Sequence, residues 1–208
     1  MARAPRSYIG GMDLMPAQKG FPQDQRAAAA VLFWQAFGSK LSKLMGPEAR
    51  ALAFLEPVLD PTHCLSICTV RGQLVGIAGF KTAGGAFVGG GLKDLNRVYG
   101  LPGTLWRAPL LSLLERKVET GTLLMDGIAV TPEARGLGIG TRLLEGIVSE
   151  ARAQGCTRVR LDVIDTNPRA KALYERRGFV AQKEEDIFPF RWLFGFSRST
   201  QMTHSLPT

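Results

Sequence analysis

The residues best suited to bind an anion lie at 134–141, which read Ala-Arg-Gly-Leu-Gly-Ile-Gly-Thr between a strand-like run at 123–130 and a helix-like run at 141–153. Glycines at the start of a helix leave backbone N–H groups free of side chains. Those groups and the helix dipole suit a phosphate or a pyrophosphate. Arg135 adds a positive charge with a planar fork of donors. The pattern therefore predicts a nucleotide-binding loop.

Two nucleotide-binding motifs fit this loop incompletely. A P-loop requires Gly-Lys-Ser/Thr after its glycines, whereas Gly140 is followed by Thr141 and Arg142. A dinucleotide fingerprint requires G-x-G-x-x-G close behind a strand, whereas this loop reads G-x-G-x-G and residues 131–135 separate it from the strand. Asp162 follows at about the distance expected of a ribose-binding carboxylate, so a dinucleotide stays open as an alternative.

A second block of sequence favours a third nucleotide, coenzyme A. Residues 167–179 read Asn-Pro-Arg-Ala-Lys-Ala-Leu-Tyr-Glu-Arg-Arg-Gly-Phe, and a strand-like Val-x-Leu-x-Val run at 159–163 precedes them. This block resembles the motif N-x-x-A-x-x-L-Y-x-x-x-G-F of the GNAT superfamily of N-acetyltransferases. The cofactor loop of that family reads R/Q-x-x-G-x-G/A, and Arg135, Gly138 and Gly140 fill it in order.

The resemblance does not cover the whole chain. It is firm from about 123 to 179 and looser from 27 to 80. It fails between 83 and 120, where the chain is longer than the strand connection usual in the family. This segment is therefore expected to be an insertion that lies over the acceptor side of the site, or that forms a homodimer contact.

The resemblance implies that acetyl-CoA is the co-substrate. Gly127 inside the strand before the loop predicts a bulge, because glycine weakens a regular strand. In the family this strand splays from its neighbour, which implies that Ile128 and Val130 supply backbone donors to the pantetheine arm and the thioester. The residues implied to hold the pyrophosphate are Arg135, Gly136, Leu137, Gly138, Ile139, Gly140 and Thr141.

Two residues of the second block have implied roles at the reacting end of the cofactor. Tyr174 matches the family's general acid, and a phenol with a pKa of about 10 stays protonated at neutral pH and can donate to a thiolate. Its alternative role is an aromatic helix residue that packs on the sheet. Asn167 is implied to hydrogen-bond the cofactor arm, and its alternative is a turn residue before Pro168.

The general base is less clearly marked than the general acid. Asp126, on the strand immediately before the predicted bulge, is the candidate, and a surface carboxylate is its alternative. Glu115, Glu119 and Asp162 are other carboxylates that could serve, and a chain of water molecules could also remove the proton.

The composition favours a globular protein over a membrane protein or a nucleic-acid-binding protein. Hydrophobic residues at 45% and charged residues at 21% describe a globular chain, and no stretch of eighteen apolar residues predicts a membrane segment. The net charge is +8, but the basic residues alternate with acidic ones and form no run interleaved with aromatics. A polyanionic cofactor explains this charge, so no nucleic-acid partner is expected.

The cysteines indicate a reducing compartment and no metal site. Cys64, Cys68 and Cys156 are odd in number and scattered, which favours free thiols and a cytoplasmic location. His63 lies beside Cys64, but four ligands at a recognised spacing are missing, so no metal is expected.

The order of predicted elements indicates one domain over 1–208 of the α/β (α+β) class. The expected architecture is a GNAT-like mixed sheet of about six to seven strands with helices on both faces. Its cofactor-binding core spans about 123–179, and a helical insertion covers 83–120, with its glycine-rich part at 83–91 expected to be a flexible loop.

Two further expectations concern single elements. The first helix is expected to end at Gly38. The segment 188–196 repeats an aromatic at every second position, which predicts a strand with one aromatic face. These residues are Phe188, Phe190, Trp192, Phe194 and Phe196.

The function that the residues and the resemblance together predict is acetyl-CoA-dependent N-acetyl transfer. A small-molecule or peptide primary amine is expected to attack directly in a ternary complex, without a metal and without a membrane partner. The rivals are an acyl-CoA-binding module without catalysis, against which Tyr174 counts, and a dinucleotide-dependent oxidoreductase, against which the glycine spacing counts.

Overall fold

The structure of the protein, a computed structural model, describes residues 7–9, 12–113, 115–188 and 191–207. Its strands are β1 (Ser7–Ile9), β2 (Met12–Leu14), β3 (Gln18–Lys19), β4 (Cys64–Cys68), β5 (Leu74–Thr82), β6 (Gly85–Ala86), β7 (Thr122–Val130), β8 (Arg158–Ile164), β9 (Val180–Asp186) and β10 (Arg198–Ser205). Its helices are α1 (Arg26–Met45), α2 (Glu48–Val58), α3 (Leu92–Ser112), α4 (Ile139–Ala153), α5 (Pro168–Arg176) and α6 (Arg191–Phe194).

A mixed sheet of eight strands forms the centre of the protein. The order across the sheet is β3-β4-β5-β7-β8-β10-β9, with β6 added to β5, while β1 and β2 form a separate hairpin. Within the described chain, β7 and β8 are parallel and the other paired strands are antiparallel. The predicted class is confirmed. The strand number is higher than predicted because β3 and β6 have only two residues each, too few to show a sequence pattern.

Helices cover both faces of the sheet, as predicted. On one face, α4 buries a stripe at helical spacing that includes Leu143, Leu144 and Ile147, and this stripe packs with Val75 and Leu123. Helix α5 adds Tyr174 to the same core cluster. On the other face, α1 and α2 form a second cluster. The two core clusters therefore lie on opposite sides of the same strands.

Helix α1 is longer than predicted, because it continues through Gly38 to Met45. A glycine inside a helix costs only about 1 kcal/mol relative to alanine, which packing can offset. Here the glycine makes room for an aromatic ring, since a Cβ on Gly38 would lie 2.8 Å from the indole of Trp34, itself a buried residue. The helix ends where the N–H of Gly46 donates to the carbonyl of Ser42.

The glycine-rich segment 83–91 is held against the sheet, so the predicted flexible loop is wrong. Phe87 is fully buried; its N–H donates to the carbonyl of Phe80 at 3.0 Å, and its carbonyl accepts from Asp60 at 2.8 Å. Gly79 provides the space, because a Cβ there would lie 2.4 Å from the Phe87 ring. The buried ring of Phe87 therefore holds the segment 83–91 against the sheet, although the composition of this segment favours mobility.

The described part of the aromatic segment 188–196 is not a strand, so this prediction is also wrong. Residues 191–194 form the short helix α6, in which Phe194 is buried and Trp192 is exposed. Phe196 is buried and Phe188 exposed, which divides the aromatic residues between core and solvent. Phe190 lies outside the described residues. The alternation had suggested one shared face, but the helical turn breaks that relation.

The last strand, β10, was not predicted. It pairs with β8 along its whole length from Ser199 to Ser205 and also with β9. Its sequence, Arg-Ser-Thr-Gln-Met-Thr-His-Ser, is polar, and Met202 is its one fully buried apolar residue. Because this sequence lacks an apolar alternation, the strand can be identified only from its pairing with β8 and β9.

Helix α3 forms most of the insertion that was predicted for 83–120. It is interrupted at Gly100, where φ is 68° and ψ is 172°. The hydroxyl of Tyr99 donates to the carbonyl of Met45 at 2.5 Å, and Arg107 Nε donates to Leu44 at 2.6 Å. Both contacts attach α3 to the end of α1. No helix of the described ranges has the length and apolar character needed to cross a membrane.

Replacing Phe87 by alanine tests whether its ring ties the segment 83–91. Truncating a fully buried phenylalanine removes apolar burial and leaves a cavity, which costs about 3–5 kcal/mol. We expect the free energy of unfolding in urea to fall by that amount. Phe188→Ala is the matched control, because Phe188 is 77% exposed and its loss should change stability by less than about 0.5 kcal/mol. Equal effects of the two variants would contradict the role of Phe87.

Candidate active site

The candidate site begins where the two parallel strands of the sheet separate. β7 pairs with β8 only over 122–125 opposite 158–161. Beyond this point β7 continues to pair with β5, and β8 continues to pair with β10. The second half of β7 therefore has one edge without a strand partner, and a gap opens between the strands at the centre of the sheet.

A bulge in β7 lies at the start of this gap, as Gly127 had predicted. Gly79 lies opposite Gly127 and Phe80 lies opposite Met125, so Asp126 is the extra residue. Gly127 has a φ of 156°, and a Cβ there would lie 2.3 Å from the ring of Phe37 on α1. Only glycine combines this backbone conformation with such a close aromatic neighbour.

The backbone of β7 presents hydrogen-bond donors to the gap. The N–H of Thr131 donates to the carbonyl of Val75 on β5 at 3.0 Å. Because antiparallel pairs alternate, the N–H groups of Ile128 and Val130 face away from β5, toward the gap. In agreement, Arg135 Nε donates to the carbonyl of Val130 at 3.3 Å. The two predicted backbone donors thus lie along the open edge.

The glycine loop follows directly and forms the N-terminus of α4. Gly136 and Gly138 have φ values of 82° and 73°, and a Cβ at either position would meet nothing within 4 Å. The helix begins at Ile139, so its first N–H groups are directed at the space beside Gly138. The loop is therefore open at the surface and suited to an anion.

The remaining residues predicted for the loop differ in their exposure. Arg135 is exposed, while Leu137, Gly140 and Thr141 are partly exposed. Ile139 is buried in the core cluster beneath α4, so its side chain anchors the helix and only its backbone can face a ligand. The loop brings these residues together as one surface at the end of the gap.

The second predicted block, 167–179, contains α5, and two of its residues, Asn167 and Tyr174, contribute to the local structure. The Asn167 side chain caps the helix by accepting a hydrogen bond from the N–H of Ala170 at 3.2 Å. Tyr174 is buried with its ring 5.9 Å from that of Phe179. Burial raises the pKa of Tyr174 to about 12, so its hydroxyl keeps its proton at neutral pH.

A cavity of about 580 Å³ adjoins the gap on the sheet face that α1, α2 and α3 cover. Asp126 and Asp162 line it from β7 and β8, immediately beyond the last pair of residues that these strands share. Phe37 of α1 and Leu111 of α3 also line it. The gap thus has the glycine loop at one end and this cavity, called the chamber below, at the other.

Asp126 has the most perturbed environment of the carboxylates in this chamber. Solvent reaches it through the cavity, but protein surrounds it, and this desolvation raises its pKa to about 6. The charges of Lys81 and His63 partly oppose the shift. Within the described chain, Asp126 makes no side-chain hydrogen bond and no ion pair. It is therefore a carboxylate that can exchange a proton near neutral pH.

The other carboxylates considered as bases are all engaged in ion pairs. Glu115 pairs with Lys81 at 3.4 Å, and Glu119 pairs with Arg158 at 2.6 Å. Asp162 accepts from Arg116 Nε at 3.0 Å. Of the four candidates, only Asp126 is left unpaired by the described residues.

Several residues of the chamber had no signal in the sequence. Lys81 lies near the end of β5, and Arg116 follows α3, yet both line the same cavity as Asp126. Phe37 was assigned only to a helix, without any relation to Gly127. Local patterns carry no information about such contacts between distant segments. Only co-varying positions among related sequences could have indicated them.

Comparison with known sequences gives a family match and a partial relative. The acetyltransferase (GNAT) family model matches residues 28–179. Thialysine N-epsilon-acetyltransferase from Bos taurus is 41% identical over 54 residues, which is 26% of this chain and 32% of that protein. The chain therefore spans about a third of the length of this curated relative.

Solved structures share the fold at low sequence identity. An N-acetyltransferase from Staphylococcus aureus Mu50 has a TM-score of 0.62 at 15% identity, covering 91% of this chain and 100% of that one. The protein yncA from Salmonella typhimurium, solved with its cofactor acetyl-CoA, has a TM-score of 0.57 at 15% identity, covering 93% and 94%. These similarities establish a common fold.

The raised pKa of Asp126 predicts a specific pH dependence of stability. Because the folded-state pKa of about 6 exceeds the ordinary value of 3.8, the folded protein holds this proton more tightly. The resulting stabilisation is present below the ordinary value and is lost as the pH rises through about 6. We expect Asp126→Asn to melt at increasingly higher temperature than the wild type over this range, as measured by thermal unfolding. Parallel curves for the two proteins would contradict the shift.

Proposed function

The chain belongs to the acetyltransferase (GNAT) family, and on this premise we propose that it is an acetyl-CoA-dependent N-acetyltransferase acting on a primary amine. The observation that carries the proposal is the gap between β7 and β8. It has a glycine loop suited to an anion at one end, and at the other a chamber whose carboxylate Asp126 has no partner among the described residues. Two substrates that enter from opposite ends would meet at the bulge.

The residues of the loop and the open strand edge fit a thioester of coenzyme A. The first N–H groups of α4 and the guanidinium of Arg135 would hold the pyrophosphate, as the room above Gly136 and Gly138 allows. The N–H groups of Ile128 and Val130 would hold the arm that follows. When bound, acetyl-CoA supplies an acetyl group activated by its bond to sulfur.

Direct transfer requires three actions of the protein. Asp126, largely ionised above its pKa of about 6, accepts the proton of the amine through water. Backbone N–H groups at the bulge stabilise the carbonyl oxygen as it becomes negative. Tyr174, which keeps its proton at neutral pH, donates it to the sulfur. The carbon–nitrogen bond forms as the carbon–sulfur bond breaks.

The structure weighs against the rival functions. A dinucleotide-binding role needs Asp162 free for a ribose, but this carboxylate is engaged by Arg116 at 3.0 Å and by Arg160 at 3.3 Å. A binding module without catalysis has no use for the chamber or for an unpaired Asp126 at its junction with the gap. The names of the relatives, which include several N-acetyltransferases, support an amine as acceptor.

Calorimetry and a thiol-release assay test the proposal. The wild type is expected to bind acetyl-CoA but not NAD, and to release coenzyme A in the presence of an amine panel. Arg135→Gln should weaken acetyl-CoA binding by about tenfold or more, because it removes a charge-assisted contact to phosphate.

Arg152→Gln is the matched control for this variant. Arg152 is an exposed arginine in the last turn of α4, at the opposite end of the helix from the glycine loop. We expect its affinity for acetyl-CoA to equal that of the wild type. If Arg135→Gln binds as tightly as Arg152→Gln, the loop is not the pyrophosphate site.

Replacing Tyr174 by phenylalanine tests the assigned acid. The change keeps the buried ring, which contacts Phe179, and removes only the proton donor. We expect kcat to fall by about 10²-fold while the affinity for acetyl-CoA stays constant, as for a group that acts in the transition state. A decrease of less than about threefold, with chemistry shown to be rate-limiting, would make Tyr174 a packing residue.

A further inference from the structure

The chamber beside the gap has a largely apolar lining that comes mainly from the helices. Aromatic rings from α1, α2 and the segment before β10 line it, and α3 adds aliphatic side chains. These side chains are Phe33, Phe37, Phe54, Leu111 and Phe196. With a volume of about 580 Å³, the chamber lies within the range of about 300–1,000 Å³ that is typical of small-molecule sites.

The chamber is also lined by charged side chains, and these charges are unequally matched. Lys81 Nζ pairs with Glu115 at 3.4 Å and also donates to the carbonyl of Arg116 at 3.3 Å. Arg116 pairs with Asp162 at 3.0 Å. Both cations that line the chamber are therefore engaged by protein acceptors, while Asp126 has no ion-pair partner among the described residues.

We infer that the acceptor is a primary amine with a single positive charge and an apolar body, of the arylalkylamine or alkylamine type. The inference rests on the proposed function and names its substrate class. An ammonium group would pair with Asp126 at the edge of the gap, where the transfer takes place. The apolar body would lie among the phenylalanine rings, which gain contact area and exclude water.

The same arrangement disfavours amines that carry a carboxylate next to the nitrogen. Such a group would approach Asp126 without a cation to receive it, because Lys81 and Arg116 already have partners. Like charges at short distance repel strongly in a desolvated site. Free amino acids are therefore expected to be poor acceptors.

Polyamines are disfavoured for a different reason. When one ammonium pairs with Asp126, the carbon chain of a diamine would place the second ammonium among the aromatic and aliphatic side chains that line the chamber. Burying a charge among hydrocarbon side chains without a partner is costly. The chamber thus attracts one ammonium group through Asp126 and disfavours a second one, which would have no partner there.

Matched amines test this inference directly. Phenethylamine is compared with phenylalanine, which adds only a carboxylate, and hexylamine is compared with hexane-1,6-diamine, which adds only a second ammonium. In the thiol-release assay, we expect kcat/KM to be about tenfold or more higher for phenethylamine and hexylamine than for their charged counterparts.

A variant of the apolar wall gives the second arm of the test. Leu111→Arg places an unpaired cation in the chamber, so kcat/KM for phenethylamine should fall by about tenfold or more and the preference over phenylalanine should narrow or reverse. Leu105→Arg adds the same charge on the same helix at a side chain that is 76% exposed, and it should leave both values unchanged.

The possible results separate the substrate class from the proposed function. If phenylalanine or the diamine is acetylated as well as its counterpart, the inferred class is wrong, but N-acetyl transfer stands. If acetyl-CoA binds and no amine reacts, the proposed function fails. Calorimetric titration of phenethylamine into protein saturated with coenzyme A then decides the inference. Binding that is lost in Leu111→Arg and kept in Leu105→Arg supports the chamber as an apolar-amine site, and no binding overturns it.

Discussion

The contact between the backbone of Gly127 and the ring of Phe37 is the constraint on which the site depends. A side chain at this position would collide with the ring, and the φ of 156° is unfavourable for other residues. The glycine permits the bulge that makes Asp126 an extra residue in β7. The same region of β7 leaves β8, so bulge and gap arise together at the centre of an otherwise continuous sheet.

The two faces of the sheet supply the two halves of the site. On one face, α4 begins at the glycine loop and is anchored by Ile139 in the core. On the other face, α1, α2 and α3 enclose the chamber, and α3 is attached to the end of α1 by Tyr99 and Arg107. Helix α1 links the halves, because Phe37 both packs on Gly127 and lines the chamber.

Ion pairing determines which charges of the chamber remain available. Arg116 and Lys81 each have a carboxylate partner from another segment. Asp126 has none among the described residues, and desolvation raises its pKa to about 6. Asp126 is therefore available to bind an ammonium ion and to exchange a proton near neutral pH, because Lys81 and Arg116 already have carboxylate partners.

The sequence by itself determined the features that depend on neighbours along the chain. The glycine loop, the bulge at Gly127, the strand β8 and the helix with Tyr174 all follow from local spacing, because turns, caps and apolar periodicity act over a few residues. The tertiary structure alone decided the rest. Phe87 holds a glycine-rich segment against the sheet, and polar β10 becomes a strand through its partners. The chamber combines side chains from helices, strands and connecting segments that are far apart in the chain. These features depend on contacts between residues far apart in the chain, and no local propensity encodes which distant surfaces will meet.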